Sequence, residues 1–325
     1  MQHSKYTSPS IPLLRNGEGK GDWETRIRPE LERKWRRLMG QPRVSDHDAK
    51  VTLEAQTQQK GFSTKTYLRK SSGQIHQRVM ILTPDNADAL RPCAVVPFYR
   101  AELTAGLDGD SEDNTQFGRH LVERGFVVAC LDAFPFHLAP DGNDEEPLFR
   151  WRVAAERLWR EHPGWTGMGR LVLDTSRALD ILLAEPGVDP TRTLIMGHSL
   201  GGKIALFAAA CDARFRAVIG SDFGLRLSST NWDAPWYFDS RLNDESEEAL
   251  GEVLALLAPR PFLLIAGHTD GALSLPVLAA ANSVYALYDN NTPTRAECFD
   301  HATGHRPSHD SLEFAYQWIK GIFKQ

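Results

Sequence analysis

The sequence predicts an α/β fold in which helices cover both faces of a mostly parallel central sheet. From residue 80 onward, short runs that are almost continuously apolar alternate with stretches of helical period. Strands buried on both faces have this composition, and parallel strands need a crossover connection, usually a helix. The runs are CAVVPF (93–98), FVVACLDA (126–133), TLIMG (193–197), AVIGSD (217–222), PFLLIAG (261–267) and AECF (296–299).

The rest of the chain falls into recognisable segments. The most regular helical pattern covers residues 168–183, where apolar residues three and four positions apart share one face. Alternating patterns over residues 51–84 predict antiparallel strands. Residues 1–50 are polar apart from 29–39, which predict one helix behind a proline suited to a first turn. We therefore expect an N-terminal extension with one helix over 1–50 and an α/β domain over 51–325.

Two predicted insertions interrupt the alternation of strands and helices, at about 134–165 and 223–258. Both contain clusters of aromatic residues. We expect them to cap the carboxyl ends of the parallel strands, where open sheets of this kind bind ligands in apolar pockets. In the second insertion, Trp232, Trp236 and Tyr237 are candidate residues of a substrate pocket.

Composition restricts the possible partners. The 325 residues include 37 Lys plus Arg and 42 Asp plus Glu, a net charge of −5, and 42% are hydrophobic. This is an ordinary globular composition without a basic surface for nucleic acid.

The sequence shows no signal-peptide pattern and no membrane span, so we expect a cytoplasmic protein without a membrane partner. Its four cysteines lie far apart and predict buried, reduced thiols. The oligomeric state stays open.

The stretch TLIMGHSLGGKIALFAAA, residues 193–210, carries the main chemical signal. It places G-x-S-x-G between an apolar strand and an Ala-rich helix, which is typical of a nucleophile elbow with Ser199 at its tip. The same letters match most of a phosphate-binding loop, from Gly197 to Lys203. Ile204, however, occupies the position where that loop needs a hydroxyl for Mg²⁺.

A serine nucleophile needs a histidine base that a carboxylate orients. Asp270 follows the run PFLLIAG and is the expected acid, and Asp222, which ends the run AVIGSD, is the alternative. His305 follows the last apolar run and is the expected general base, with His301 as the fallback. We expect the three catalytic residues to be Ser199, Asp270 and His305.

The histidines at 301, 305 and 309 also allow a metal-site interpretation. Gly304 and Pro307 would break any helix that aligned them, and HExxH is not present in the sequence. We expect no metal.

Acyl transfer also requires donors for a developing oxyanion. The backbone N–H of Leu200, directly after the nucleophile, is one expected donor. The other is expected from Tyr99 or Arg100, which follow the run CAVVPF, through either a backbone N–H or the Tyr99 hydroxyl.

These motifs resemble the α/β-hydrolase superfamily and, within it, the dienelactone hydrolase and acetyl xylan esterase-like group of serine esterases. The resemblance covers about residues 80–325 and rests on GHSLGG, on ALLAPRPFLLIAGHTDGA and on the Gly304-His305 pair. It implies a carboxylic-ester hydrolase that needs no cofactor. Such an enzyme would act through an acyl-enzyme on small soluble esters, short-chain acyl or acetylated carbohydrate esters.

Three alternatives remain at this point. Glucuronoyl esterases look similar, with a lysine at the Lys203 position, but usually have arginine where this chain has Leu200. A serine peptidase of the prolyl-oligopeptidase type normally adds a propeller domain, for which residues 1–80 are too few. A non-catalytic receptor on the same fold normally lacks one of the catalytic residues, whereas candidates for all three are present here.

Overall fold

The computed structural model describes residues 12–42, 48–72, 76–85, 89–109, 113–139, 148–268, 270–288 and 295–324. Within these ranges nine strands form one sheet in the order β1-β2-β3-β5-β4-β6-β7-β8-β9. The strands are β1 (Lys50–Gln58), β2 (Phe62–Lys70), β3 (Gln77–Pro84), β4 (Arg91–Pro97), β5 (Val127–Leu131), β6 (Val188–His198), β7 (Ala217–Ser221), β8 (Phe262–Ala266) and β9 (Ala296–Asp300).

Helices fill the connections between the strands. In the described ranges they are α1 (Lys20–Asp22), α2 (Arg28–Met39), α3 (Ala101–Ala105), α4 (Phe117–Glu123), α5 (Pro135–Leu138), α6 (Phe149–Glu161), α7 (Gly167–Leu183), α8 (Leu200–Cys211), α9 (Pro235–Phe238), α10 (Leu250–Ala255), α11 (Leu275–Tyr285) and α12 (His309–Phe323). Side-chain caps start two of them, because the hydroxyls of Thr166 and Ser308 accept hydrogen bonds from Gly169 and Ser311 N–H groups.

The pairing directions confirm the predicted fold class. β1, β2 and β3 form an antiparallel meander, and β3 joins β5 antiparallel. All pairs from β5 through β4, β6, β7 and β8 to β9 are parallel. Each of the six apolar runs overlaps an observed strand.

Both faces of the central strands are covered. Val95 and Val96 are neighbours on β4, yet they belong to separate cores because successive side chains of a strand point to opposite faces. The core containing Val95 includes side chains of α2, α7 and α8, and the core containing Val96 includes side chains of α3, α4 and α12. This double covering accounts for the nearly continuous apolar strands.

The N-terminal helical segment packs against this sheet domain. It starts with α1, continues through a π-helical turn over Trp23–Ile27, and becomes α2, with Pro29 in the first turn. Trp35 is 2% exposed; its indole N–H donates to Glu252, and its ring packs edge-on at 5.5 Å from Phe207. α2 is therefore held by α8 and α10. The division of the chain into an extension and a domain at residue 50 stays a prediction.

The two predicted insertions differ in structure. The first contains α5 and α6, and its residues 140–147 lie outside the described part. The second contains α9 and then α10, which packs against α8 and α11. Only the portion before α10 therefore contributes to the aromatic surface at the carboxyl end of the sheet.

One stretch in the described ranges, Gly271–Tyr288, is long and apolar enough to cross a membrane by length and composition. It contains α11, which packs against α10 and β9. Core helices of globular domains meet the same two criteria.

The order of the strands creates a crevice at the carboxyl ends of β4 and β6. The chain passes from β4 to β5 on one side of β4, and the next connection then crosses β4 to reach β6 on its other side. Open α/β sheets bind ligands at such a switch point. The loop after β4 and the turn after β6 meet there.

The turn after β6 is a sharp elbow with Ser199 at its tip. Ser199 has a φ of +50°, which is strained for a residue with a side chain. A Cβ atom on Gly197 would lie 2.2 Å from the carbonyl carbon of Gly201, and one on Gly201 would lie 2.2 Å from the Pro97 oxygen. The elbow therefore requires glycine on both sides of the serine.

We expect Gly201→Ala to open this elbow and to lower any turnover that depends on Ser199 by at least about 100-fold, because a displacement of about 1 Å at a reacting group has that effect. The variant should also unfold at a lower temperature. Gly321→Ala on α12 is the matched control, since its added Cβ meets no atom within 4 Å. Equal activity and equal melting temperature of the two variants would contradict the requirement for glycine at position 201.

Candidate active site

The predicted nucleophile and base lie together at the carboxyl end of the sheet. β9 ends at Asp300 and α12 begins at His309, and the intervening loop carries His305. Its Nε2 lies 3.0 Å from the Ser199 Oγ. A histidine at this distance can accept the serine proton directly.

The surroundings of His305 keep its ring unprotonated. Partial burial is the main cause that lowers its pKa below the usual histidine value, and His268 lowers it further. The negative charge of Asp270 opposes this shift. A neutral imidazole is the form that can act as a base.

The predicted acid, Asp270, does not hold His305 by a hydrogen bond. Its buried carboxylate accepts hydrogen bonds from the N–H groups of Gly224 at 3.0 Å and Leu225 at 2.6 Å, and from the Ser274 hydroxyl at 3.0 Å. Within the described residues, no hydrogen bond joins Asp270 to His305. The carboxylate faces the start of the second insertion, and the role of Asp270 as the acid that orients the imidazole stays a prediction.

The alternative acid and the fallback base form a pair with each other. His301 Nε2 lies 3.1 Å from Asp222 Oδ1, and both side chains are at most 1% exposed. The Ser221 hydroxyl donates to Asp222 Oδ2 at 2.8 Å. Sequence reasoning considered these residues one at a time and missed their pairing, although both follow strands that end at this edge.

His198 lies between this pair and His305. Its Nδ1 lies 3.3 Å from the Ser221 Oγ, and its ring centroid lies 5.0 Å from that of His305. Burial lowers the pKa of His198 to about 3, so its ring is neutral. In the sequence, only the position of His198 directly before Ser199 could have pointed to a role in the site.

The expected oxyanion donors border the crevice. Leu200 is the first residue of α8, where a backbone N–H has no helical acceptor, and the helix dipole favours negative charge there. Tyr99 follows β4, and its ring packs 4.7 Å from Phe98 and 5.8 Å from Trp151. The Arg100 guanidinium forms an ion pair with Asp108 at 2.5 Å. This ion pair engages the Arg100 side chain only, so the backbone N–H groups of Tyr99 and Arg100 both stay predicted donors.

An aromatic pocket of about 240 Å³ lies beside the loop after β4. Both insertions and that loop contribute walls. The lining residues are Tyr99, Phe136, Leu148, Arg150, Trp151, Asn231, Trp236 and Tyr237. Two of the three predicted pocket residues, Trp236 and Tyr237, are among them.

Trp232 is the third predicted pocket residue, and it does not line the pocket. It is fully buried, and its indole N–H donates to the Gly224 carbonyl at 2.6 Å. Its ring lies beneath the pocket, against Lys203 at 4.5 Å. Lys203 donates to Asn231 at 2.6 Å, and burial lowers the pKa of this lysine to about 7.

The described residues contain no group of three or more His, Cys, Asp or Glu side chains arranged to hold a metal ion. The site that the geometry does assemble is a serine and a histidine in hydrogen-bond contact, with buried carboxylates behind them. This arrangement can carry out acyl transfer.

Comparisons with known proteins agree with this geometry. The acetyl xylan esterase (AXE1) family model matches residues 168–223, which span α7 to the end of β7 and include Ser199. A curated relative from Bacillus subtilis (strain 168), "Putative hydrolase YtaP", is 22% identical over 250 residues, 70% of this chain and 79% of that protein. Carbohydrate esterase MZ0003, from an unknown prokaryotic organism, is 25% identical over 46% of this chain and 38% of its own length.

Solved structures share the fold over nearly the whole chain. A glucuronoyl esterase from Solibacter usitatus superposes with a TM-score of 0.73 at 18% identity, covering 98% of both chains. A CE15 glucuronoyl esterase from Teredinibacter turnerae T7901 has a TM-score of 0.68 at 18% identity, covering 95% of this chain and 89% of that one. These findings confirm the predicted fold and support the predicted esterase class: the chain shares the fold of these esterases over nearly its whole length, and its residues 168–223 match the acetyl xylan esterase model.

Proposed function

We propose that the protein hydrolyses small carboxylic esters, including acetylated carbohydrates, through a covalent acyl-enzyme on Ser199. The observation that carries this proposal is the 3.0 Å contact between the Ser199 Oγ and His305 Nε2 at the tip of a strained elbow. The acetyl xylan esterase model covers the same elbow.

In the first half of the reaction the Ser199 Oγ attacks the ester carbonyl while His305 Nε2 takes the serine proton. The tetrahedral intermediate then expels the alcohol, and His305 donates that proton to the departing oxygen. Ser199 is left as an acyl ester. Water attacks this ester with His305 again as base, and the acid leaves as the serine hydroxyl reforms.

Asp270 acts on His305 through its charge. The negative charge of this carboxylate raises the pKa of His305, and such a charge stabilises the imidazolium that forms in each half-reaction. Burial and two backbone donors keep the carboxylate in one place. We assign Asp270 the role of electrostatic partner on these grounds.

The oxyanion is stabilised by the backbone N–H of Leu200 and by a backbone N–H of the loop after β4, at Tyr99. The ion pair between Arg100 and Asp108 leaves the guanidinium engaged elsewhere. Each donor in such a site contributes about 10²- to 10³-fold in rate.

The aromatic pocket receives the ring-shaped part of the substrate. Its volume of about 240 Å³ exceeds what an acetyl group fills, and its walls are mostly aromatic faces and edges. Rings of this kind pack against the apolar face of a sugar, and Asn231 and Arg150 supply polar groups at the wall. A small soluble sugar ester in the cytoplasm is the proposed substrate.

A uronic-acid ester is the second candidate substrate. The similarity of the fold to glucuronoyl esterases over 98% of the chain and the buried Lys203 favour it. Leu200 after the nucleophile argues for the acetyl ester, because an arginine usually occupies that position in glucuronoyl esterases.

Ester turnover tests the proposal directly. We expect the protein to hydrolyse p-nitrophenyl acetate and acetylated xylo-oligosaccharides faster than p-nitrophenyl decanoate, methyl glucuronate or a p-nitroanilide amide. Ser199→Ala should lower ester turnover more than about 1,000-fold, whereas Ser283→Ala on the exposed side of α11 should not. Faster turnover of methyl glucuronate would favour the second candidate. Faster turnover of the amide would indicate a peptidase, and a folded protein inactive on all of these substrates would favour a receptor.

The role of Asp270 can be separated from that of Asp222. We expect Asp270→Asn to lower kcat by about 10³-fold or more, because the imidazolium loses its counter-charge, and Asp222→Asn to lower it less. Thermal unfolding of both variants controls for the lost hydrogen bonds. A larger loss of kcat in Asp222→Asn would show that the acid is misassigned.

The pH profile should reflect the lowered pKa of His305. Because only the neutral imidazole is a base, a lowered pKa lets activity persist as the pH falls. We therefore expect the acidic limb of kcat/KM to have its midpoint below about 6.5, the ordinary histidine value. A midpoint above that value would mean that the charge of Asp270 outweighs burial.

A further inference from the structure

The catalytic histidine is carried by a short loop that is anchored to its neighbours at several points. His301 N–H donates to the Ala266 carbonyl at 2.9 Å, and His268 N–H donates to the Thr303 carbonyl at 3.1 Å. Ala302 has a φ of +53°, an uncommon conformation for a residue other than glycine. The loop after β9 is therefore laid against the end of β8 in a specific conformation.

A buried polar contact adds a link to β7. The Asp222 carboxylate is fully buried and has two hydrogen-bond partners: His301 Nε2, 3.1 Å from Oδ1 and 3.3 Å from Oδ2, and the Ser221 hydroxyl, which donates to Oδ2. His198 Nδ1 lies farther away, 3.9 Å from Oδ2. The other ring nitrogen of His301, Nδ1, contacts the Thr303 Oγ1 at 2.6 Å. His301 therefore uses both of its nitrogens and bridges β7 to the middle of the loop that carries His305.

We propose that Asp222 and His301 form a clamp that positions His305 against Ser199, an inference that rests on the proposed function. Neither member of the Asp222–His301 clamp touches the reacting atoms. Asp222 holds His301, and His301 holds the loop, so that His305 Nε2 arrives 3.0 Å from the Ser199 Oγ.

The geometry distinguishes a clamp from a catalytic acid. An acid partner of His305 would accept a hydrogen bond from it, but among the described residues the hydrogen bonds of the Asp222 carboxylate come from His301 and Ser221. Asp270 is the carboxylate whose charge raises the pKa of His305. The two aspartates thus have separate tasks.

The burial of the clamp explains why both members are needed. A carboxylate without solvent is costly unless it is paired and hydrogen-bonded, so the loss of His301 leaves Asp222 with an uncompensated charge. Asp222 itself has a φ of +48°, so its backbone is strained as well. Strain of this kind persists where the surrounding contacts hold it in place.

Substitutions of His301 test the clamp. Glutamine can place an N–H donor where Nε2 lies, whereas leucine cannot donate. We expect His301→Leu to lower kcat on p-nitrophenyl acetate 10- to 100-fold with little change in KM, since positioning is lost and binding is not. His301→Gln should recover most of that loss. His309→Gln, an exposed histidine at the start of α12, should behave as wild type.

A double-variant cycle tests whether Asp222 acts through His301. If Asp222 acts through His301, Asp222→Asn combined with His301→Leu should lower kcat no more than the larger single change does. Independent losses that multiply would overturn the clamp. So would an active His301→Leu enzyme beside an inactive Asp222→Asn enzyme, because Asp222 would then serve His305 itself.

Crystal structures of the wild type and His301→Leu give a readout that does not depend on turnover. We expect the distance between His305 Nε2 and the Ser199 Oγ to exceed hydrogen-bond range in the folded variant. An unchanged distance would overturn the clamp even if the wild type proved active. If the wild type hydrolysed no ester, the proposed function would fail, and these structures would still decide whether the pair positions His305.

Discussion

The close approach of α8 to β4 and β6 is the constraint on which the site depends. Helix and strands meet where only glycine fits, at positions 197 and 201, and this contact holds Ser199 in its left-handed backbone conformation. The same contact places Leu200 N–H at the start of the helix, beside the loop after β4. Nucleophile, helix dipole and crevice therefore come from one packing arrangement of the backbone, which makes the serine side of the site rigid.

The histidine side has a different physical basis, because a loop places His305 where no regular element ends. Two buried carboxylates tie this region together. Asp270 joins the end of β8 to the start of the second insertion at Gly224, and Asp222 joins the end of β7 to His301. A buried charge is costly unless it has such partners. Each carboxylate therefore connects two segments of the chain. Of these long-range polar bonds, the one between Asp222 and His301 reaches the loop that carries His305.

The aromatic pocket is supported by packing that reaches the N-terminal helix. Trp151 contacts Tyr99 on one side and Trp236 on the other, while Trp232 and Lys203 lie beneath Tyr237. Behind them Phe207 and Phe238 pack against Trp35 of α2. Aromatic pairs of this kind contribute about 0.5 to 1.5 kcal/mol each beyond their buried area. The polar N-terminal segment thus supports the pocket from behind, although none of its described residues, 12–42 and 48–50, lines the pocket.

Local patterns and chain order were enough to predict the strands, the elbow and His305 as the histidine beside Ser199, with His301 as the fallback. Apolar runs and glycine spacing are local signals, and chain order places loops after parallel strands at one edge of the sheet. The hydrogen-bond partners of Asp222 and Asp270, the burial of Trp232 and the packing of α10 could not be predicted and became visible only in the folded structure. These hydrogen bonds join residues that are 46 to 79 positions apart in the chain. A change of a few tenths of an ångström in the distance between donor and acceptor decides whether such a bond forms. No periodicity in the sequence encodes such distances.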